Sequence, residues 1–128
     1  MPYITTLTES DLALGKRVTE QLKAKEFSFD GAFWLYDEEA EDWRLVIVTR
    51  LVDQEGRQAT YLRLGQIISV DPRSEFRLLN ITVMSPQDSV FVALRKTFAS
   101  VENVEGVRLQ HHTVNGVLVP GAYLYEVH

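Results

Sequence analysis

The sequence contains no cysteine and no long apolar run, and its basic side chains are outnumbered by acidic ones. Without cysteine, a disulfide framework, a zinc–thiolate site and a cysteine nucleophile are excluded. Each apolar run is far shorter than the roughly 20 residues that a membrane helix needs. The first residues also lack the basic and apolar regions of a signal peptide. The sequence therefore predicts a cytoplasmic protein with no membrane contact.

The charge balance is acidic, with 13 Lys and Arg against 18 Asp and Glu, giving a net charge of −5. Since affinity for phosphate backbones depends on Lys and Arg, this balance argues against nucleic-acid binding. The negative charge is concentrated in residues 27–56, which carry eight acidic and two basic side chains. Residues 57–100 carry six basic and three acidic side chains. The basic excess of this segment is the reason to consider nucleic-acid processing as a third hypothesis, behind the two that are given at the end of this section.

Common catalytic and cofactor motifs are also missing from the sequence. It has no Gly-x-Gly-x-x-Gly, P-loop, Gly-x-Ser-x-Gly or His-Glu-x-x-His pattern. An α-β-β beginning invites comparison with nucleases that place an Asp and a Glu-x-Lys on adjacent strands, but the run Leu45–Arg50 contains no such pair. The sequence thus favours a protein that is not an enzyme and holds no cofactor or metal.

Hydrophobic spacing predicts three helices and five strands within one domain spanning residues 1–128. The first helix is expected over 9–26, with Thr8 or Ser10 as its N-cap, the second over 57–70, and the third after an N-cap at Ser85. Strands are expected over 29–36, 43–52, 76–84, 107–114 and 117–127. Pro120 predicts that the last strand is an edge strand or contains a bulge, because proline cannot donate a ladder hydrogen bond.

Two hairpins and two helix-containing links determine the expected topology. Pairing Asp37 with Asp42 makes both faces of the first hairpin apolar, which is typical of central strands. Asn115-Gly116 predicts a type I′ turn in the second hairpin. The links between strands two, three and four are long enough for parallel crossovers. The predicted fold is α+β, with order α-β-β-α-β-α-β-β and three helices packed on a mixed five-stranded sheet.

Two polar clusters are weak candidates for metal sites. The acidic loop 37–42 lacks the glycine of a calcium loop, which favours a solvated hairpin turn. His111 and His112 are adjacent on a strand, so they point to opposite faces and cannot easily share a metal ion. We expect one of these histidines to face the core or a helix and the other to face solvent.

Five residues of the first hairpin are the candidate binding residues: Trp34, Tyr36, Trp43, Arg44 and Arg50. The three aromatic residues share one sheet face, which is either core beneath a helix or the lining of a pocket or interface. The two arginines lie in an otherwise apolar predicted strand. They therefore require a neighbouring carboxylate, an exposed sheet end or an anionic ligand.

Two segments resemble small uncharacterised bacterial proteins of similar length. These are Gly31–Asp37 followed by Trp43–Val48, and the closing Val114–Tyr125. The shared residues are structural rather than catalytic. The resemblance implies a bacterial, cytoplasmic protein and implies no particular activity.

Two function hypotheses remain ahead of nucleic-acid processing. The favoured one is a non-enzymatic interaction or assembly module whose partner is another protein or a second copy, forming a homodimer. The alternative is a domain that binds a small anionic ligand, or a degenerate enzyme, with Trp34, Trp43, Arg44 and Arg50 lining the site.

Overall fold

A computed structural model describes residues 6–68 and 81–128. Its elements in chain order are α1 Glu9–Ala24, β1 Gly31–Asp37, β2 Asp42–Val48, α2 Leu51–Glu55, α3 Arg57–Ile67, β3 Ile81–Met84, α4 Ser89–Phe98, β4 Arg108–Val114 and β5 Val117–Val127. The predicted α+β class and element order are confirmed, with the short helix α2 as an addition. The predicted helix residues 69–70 and strand residues 76–80 lie outside the described residues.

The five strands form one mixed sheet in the order β3-β2-β1-β5-β4. Asp37 pairs with Asp42, as the sequence predicts, and both hairpin strands lie in the interior of the sheet. In the second hairpin, Asn115 and Gly116 have φ angles of 47° and 83° between the paired residues Val114 and Val117. These positive φ angles match the turn that Asn-Gly predicts.

Helices cover both faces of the sheet, so the core has two halves. The Trp34 face, whose hairpin residues are Ala32, Trp34, Tyr36, Trp43, Leu45 and Ile47, packs under α1 and α3 through Val18, Leu22 and Leu64. The Phe33 face, whose hairpin residues are Gly31, Phe33, Leu35, Arg44, Val46 and Val48, packs under α4 through Phe91 and Leu94. Burial on both faces explains why β1 and β2 read as nearly continuous apolar runs.

The first helix begins where the sequence predicts, with Thr8 as the N-cap. Its hydroxyl accepts a hydrogen bond from the Asp11 amide at 3.1 Å, and the Asp11 carboxylate accepts one from the Thr8 amide at 2.9 Å. This reciprocal capping box satisfies two backbone donors that a helix start leaves unpaired.

The expected parallel crossover between β3 and β4 is wrong, although the one between β2 and β3 is confirmed. Strand β4 lies at the opposite edge of the sheet and runs antiparallel to β3. The edge beside β3 is occupied by side chains of α3. The Val83 amide donates to the Tyr61 hydroxyl at 3.2 Å, and Arg57 Nη1 donates to the Val83 carbonyl at 3.1 Å.

Strand β2 ends four residues earlier than predicted. The Thr49 hydroxyl donates to the Ser28 carbonyl at 3.0 Å and accepts from the Leu51 amide at 3.3 Å, which turns the chain into α2. Arg50 consequently lies at the N-cap position of α2 rather than on the strand. Such a local hydroxyl–backbone bond competes with the sheet ladder and is invisible to hydrophobic spacing.

The predicted N-cap of the third helix is also wrong, because α4 is capped by Asp88. The Asp88 carboxylate accepts from the Val90 amide at 2.9 Å. Ser85 instead donates its hydroxyl to the Asp53 carboxylate at 2.8 Å and accepts from the Gln87 amide. The segment between Ser85 and Asp88 therefore forms a turn before the helix.

Strand β5 is interior rather than an edge strand, which corrects one of the two predictions drawn from Pro120. The last pair of its ladder with β1 is Leu35 and Ala122, and Ala122 lies two residues after Pro120 in the chain. The register with β1 also shifts between Ala32 and Phe33. The second alternative, a bulge, therefore holds, although the shift falls near Tyr125 rather than at the proline, and Pro120 lies where β1 no longer pairs.

Candidate functional site

The structure does not bring the five candidate binding residues together. Trp34, Tyr36 and Trp43 lie on the Trp34 face, whereas Arg44 lies on the Phe33 face. Arg50 lies outside the sheet and its side chain is 75% exposed. The described structure therefore contains no single pocket made by these residues.

Trp34 is part of the core and is fixed by a buried hydrogen-bond chain. Its indole Nε1 donates to the Tyr125 hydroxyl at 3.0 Å, and that hydroxyl donates to the Leu12 carbonyl at 2.6 Å. Trp34 is only 3% exposed and Tyr125 only 5%. The chain ties α1 to β1 and β5, so Trp34 serves packing on this face.

Tyr125→Phe tests this hydrogen-bond chain and its response to pH. The variant leaves the Trp34 indole donor without its partner, which at neutral pH costs about 1–3 kcal/mol of unfolding free energy. Burial raises the pKa of the Tyr125 hydroxyl well above its ordinary value of 10.0, and the bond from Trp34 offsets this only partly. Above about pH 10 the unfolded chain ionises Tyr125 while the folded chain does not. The wild type therefore loses up to about 1.4 kcal/mol per pH unit relative to the variant.

Urea unfolding of both proteins at pH 7 and at several values above pH 10 measures this difference. A gap between wild type and variant that stays constant with pH would contradict the assigned role of the buried hydroxyl.

Tyr36 and Trp43 pack against each other and against strand β5. Their rings meet edge to face with centroids 5.4 Å apart. A Cβ atom at Gly121 would lie 2.9 Å from the Trp43 ring, so glycine allows the indole to lie over β5. These aromatic residues thus contribute contacts within the chain.

The two arginines pair with acids of neighbouring segments, as the sequence favours. Arg44 Nε lies 3.6 Å from the Asp37 carboxylate, and Arg50 Nε lies 3.7 Å from that of Asp30. Exposed pairs of this kind contribute little stability.

The prediction for the two histidines is wrong, because both His111 and His112 are exposed. His111 has a φ of 45°, which rotates the backbone of β4 at the position opposite Pro120. The described residues contain no group of three His, Cys, Asp or Glu that could hold a metal ion. Within the same residues, no helix has both the length and the hydrophobicity needed to cross a membrane.

A charged cleft of about 650 Å³ lies between α1, the segment 99–105 and the end of β5. Ion pairs cross it: Lys16 lies 3.4 Å from Glu105, and Lys23 lies 2.6 Å from Glu126. The second oxygen of Glu126 lies 2.7 Å from His128. Acidic side chains engage both lysines, and the described lining carries the carboxylates of Glu20, Glu102, Glu105 and Glu126 against the three cations Lys16, Lys23 and Arg95. The cleft therefore has no excess of positive charge to offer an anion.

A second depression, which we call the acidic groove, lies on the Phe33 face beside the first hairpin. Its volume is about 320 Å³. Apolar side chains and one threonine form its floor: Leu35, Val46, Met84, Pro120 and Thr82. Polar residues line its rim: Tyr36, Asp37, Glu38, Glu39 and Arg44. The groove exists because α4 packs mainly on β5 and β4, at the other side of this face.

The electrostatic environment of the groove is negative. Glu38 and Glu39 are exposed, and Asp37 is the carboxylate that faces Arg44. The Tyr36 side chain lies on the opposite, Trp34 face, where burial raises its pKa and the carboxylates of Glu41, Glu38, Asp42 and Asp37 raise it further. The exposed carboxylates of Glu38 and Glu39 make this end of the groove negative.

Sequence reasoning identified Arg44 and Tyr36 but missed the floor of the groove. Thr82 lies beside Val46, and Met84 beside Val48, only because β3 pairs with β2 in this register. Pro120 is separated from both in the sequence and reaches the groove through β5. The only sequence signal of the site is the acidic run between two apolar strands.

Comparisons with protein-family models, with curated proteins and with solved structures each found no match for this chain.

Proposed function

We propose that this protein is a non-enzymatic interaction module that binds a segment of a partner protein in the acidic groove. The supporting observation is the groove itself, an open depression with an apolar floor at Leu35, Val46 and Met84 and a charged rim. Apolar grooves with a few polar groups at the margin are typical recognition sites, because burial supplies affinity and polar groups supply specificity.

The sheet edges give less support for binding by strand addition. At the β3 edge, Tyr61 and Arg57 already hydrogen-bond the backbone of Val83. At the β4 edge, the positive φ of His111 interrupts regular strand geometry. Blocked or kinked edges disfavour pairing with another strand. A side-chain groove on the sheet face is therefore the better docking surface.

The dimensions of the groove favour a short segment over a second folded copy. Ten of the described residues line it, whereas a stable interface between two folded proteins needs about 20–30 residues on each side. A two-fold symmetric contact through this groove would also bring two acidic rims together. The homodimer hypothesis thus has less support than binding to a different protein.

An anionic small ligand is also a less favourable occupant. Trp34, Trp43, Arg44 and Arg50 do not converge, and carboxylates engage Lys16 and Lys23 in the charged cleft. The acidic rim of the groove would repel an anion.

Thr82→Arg tests the proposed function by placing a long side chain on the groove floor. Peptides selected from a random library against the full chain should bind the wild type and lose at least about tenfold in affinity with this variant, since an occupied pocket removes apolar burial. Thr113→Arg is the matched control. It makes the same substitution at an exposed position on β4, outside the groove, and should leave the affinity unchanged.

Fluorescence anisotropy gives the affinities, and amide NMR shifts should map the bound peptide to Leu35, Val46, Thr82 and Met84. A failure to select any peptide whose binding responds to Thr82→Arg would refute the proposal. Light scattering at micromolar concentration should show a monomer. A dimer that Thr82→Arg dissociates would instead assign the groove to a second copy.

A further inference from the structure

We infer that the occupant of the acidic groove is a short extended segment of a partner protein that has basic residues at one end and apolar residues at the other. This inference rests on the proposed function and specifies the chemistry of the partner. It follows from the unequal distribution of charge along the groove.

The basic end is indicated by the sign and position of the charge on the rim. Asp37, Glu38 and Glu39 all lie at the turn of the first hairpin, and among residues 6–68 and 81–128 Arg44 is the only basic residue that lines the groove. The Arg44 guanidinium faces Asp37, and within the described part of the chain no ion pair involves Glu38 or Glu39. A Lys or Arg of the partner would find two exposed carboxylates here. An acidic segment would meet like charge, and like charge is a common means of excluding wrong partners.

The apolar end is indicated by the residues that lie away from the hairpin turn. Thr82 and Met84 lie beside Val46 and Val48, and none of the described residues that line this part of the groove is charged. A Leu, Val or Phe of the partner would pack on the half-buried Thr82 and on the exposed part of Met84, which favours binding through the hydrophobic effect. The two ends of the groove thus favour different residue types.

The length of the groove sets the length of the segment. From Arg44 to the level of Met84, which pairs with Val48, the groove follows β2 for about 13 Å at 3.3 Å per residue. About four extended residues cover this distance. A segment of this size with charge at one end is compatible with a loop or a terminal tail of the partner.

Three capped peptides test the inference: Lys-Lys-Gly-Leu-Val-Phe-Ser, the same sequence with two glutamates in place of the lysines, and the basic peptide with its apolar residues replaced by Ser-Asn-Ser. We expect the first peptide to bind the full chain most tightly. Its affinity should fall about fivefold at low salt when Glu38→Gln and Glu39→Gln remove two rim charges. The effect should shrink as salt rises.

The control variant is Glu20→Gln with Glu102→Gln, two exposed residues of the charged cleft. It makes the same change in net charge and should leave the affinity unchanged. Equal losses in the two double variants would mean that only the overall charge attracts the peptide, and would overturn the inference.

The remaining outcomes separate this inference from the proposed function. If the glutamate peptide binds as tightly and its binding is sensitive to Thr82→Arg, the groove is a docking site but its partner is not basic. If the peptide without apolar residues binds equally well, the apolar anchor is wrong. If Thr82→Arg affects none of the peptides in this set or in the selected library, the proposed function itself fails.

Discussion

Replacing Phe33 with alanine should lower the free energy of unfolding by about 4 kcal/mol. Phe33 is 0% exposed and lies at the centre of the sheet, between β2 and β5. It belongs to the core half that α4 covers through Phe91 and Leu94. Removing the ring loses the favourable free energy of burying it and leaves a cavity. The strands on both sides keep neighbouring side chains from moving in to fill that cavity. Urea denaturation measures the change.

Leu35→Ala is the matched comparison, two residues further along the same face of β1. Leu35 is only half-buried because it lies at the acidic groove. Leu35→Ala should lower the free energy of unfolding by about 1 kcal/mol, because the core encloses only part of the Leu35 side chain. Equal losses for the two variants would show that the Leu35 end of this face is as tightly packed as the Phe33 end, which would contradict an open groove.

Gly15→Ala should destabilise the protein by about 2 kcal/mol through overpacking. In an ordinary helix interior the same substitution stabilises by about 1 kcal/mol. Here a Cβ atom would clash with the Tyr125 hydroxyl, lie 2.7 Å from Tyr125 Cε2 and lie 2.8 Å from Trp34 Nε1. Glycine lets α1 approach the buried hydrogen-bond chain closely, and any side chain would push the helix away from the sheet.

Gly65→Ala provides the control, because Gly65 is also helical but is exposed on α3. This substitution should raise the melting temperature through helix propensity, whereas Gly15→Ala should lower it. The two variants should therefore shift thermal unfolding in opposite directions. A stabilising Gly15→Ala would contradict the close approach of α1 to Trp34 and Tyr125.

The local parts of the fold could be predicted from the sequence because their causes lie within a few residues. Thr8 and Asp11 determine the start of α1, and Asn115-Gly116 determines the second hairpin turn. The apolar residues on both faces of β1 and β2 indicate that these strands are central. Each feature follows from side-chain spacing or backbone preference.

The errors arose where a distant partner competes with local preference. Hydrophobic spacing extends β2 to Val52, but the Thr49 hydroxyl binds the Ser28 carbonyl and ends the strand. Link length predicts β4 beside β3, but Arg57 and Tyr61 occupy that edge. The partners of these bonds are 21 to 26 residues apart in the chain.

The candidate site was only partly predictable for the same reason. The acidic hairpin turn and Arg44 are visible in the sequence, whereas Thr82, Met84 and Pro120 join them only through pairing of four strands. Trp34 was a candidate because aromatic residues occur both in cores and in interfaces. Its bond to Tyr125, 91 residues away, places it in the core.

The position of β5 between β1 and β4 has a consequence during synthesis on the ribosome. Strand β1 emerges early, but its second neighbour is contributed by residues 122–127. Until those residues leave the ribosome, one edge of a strand with two apolar faces has no partner within the sheet. Exposed edges of this kind promote aggregation. A chain that is interrupted after α4 would keep this edge open, so completion of the last hairpin also protects the first one.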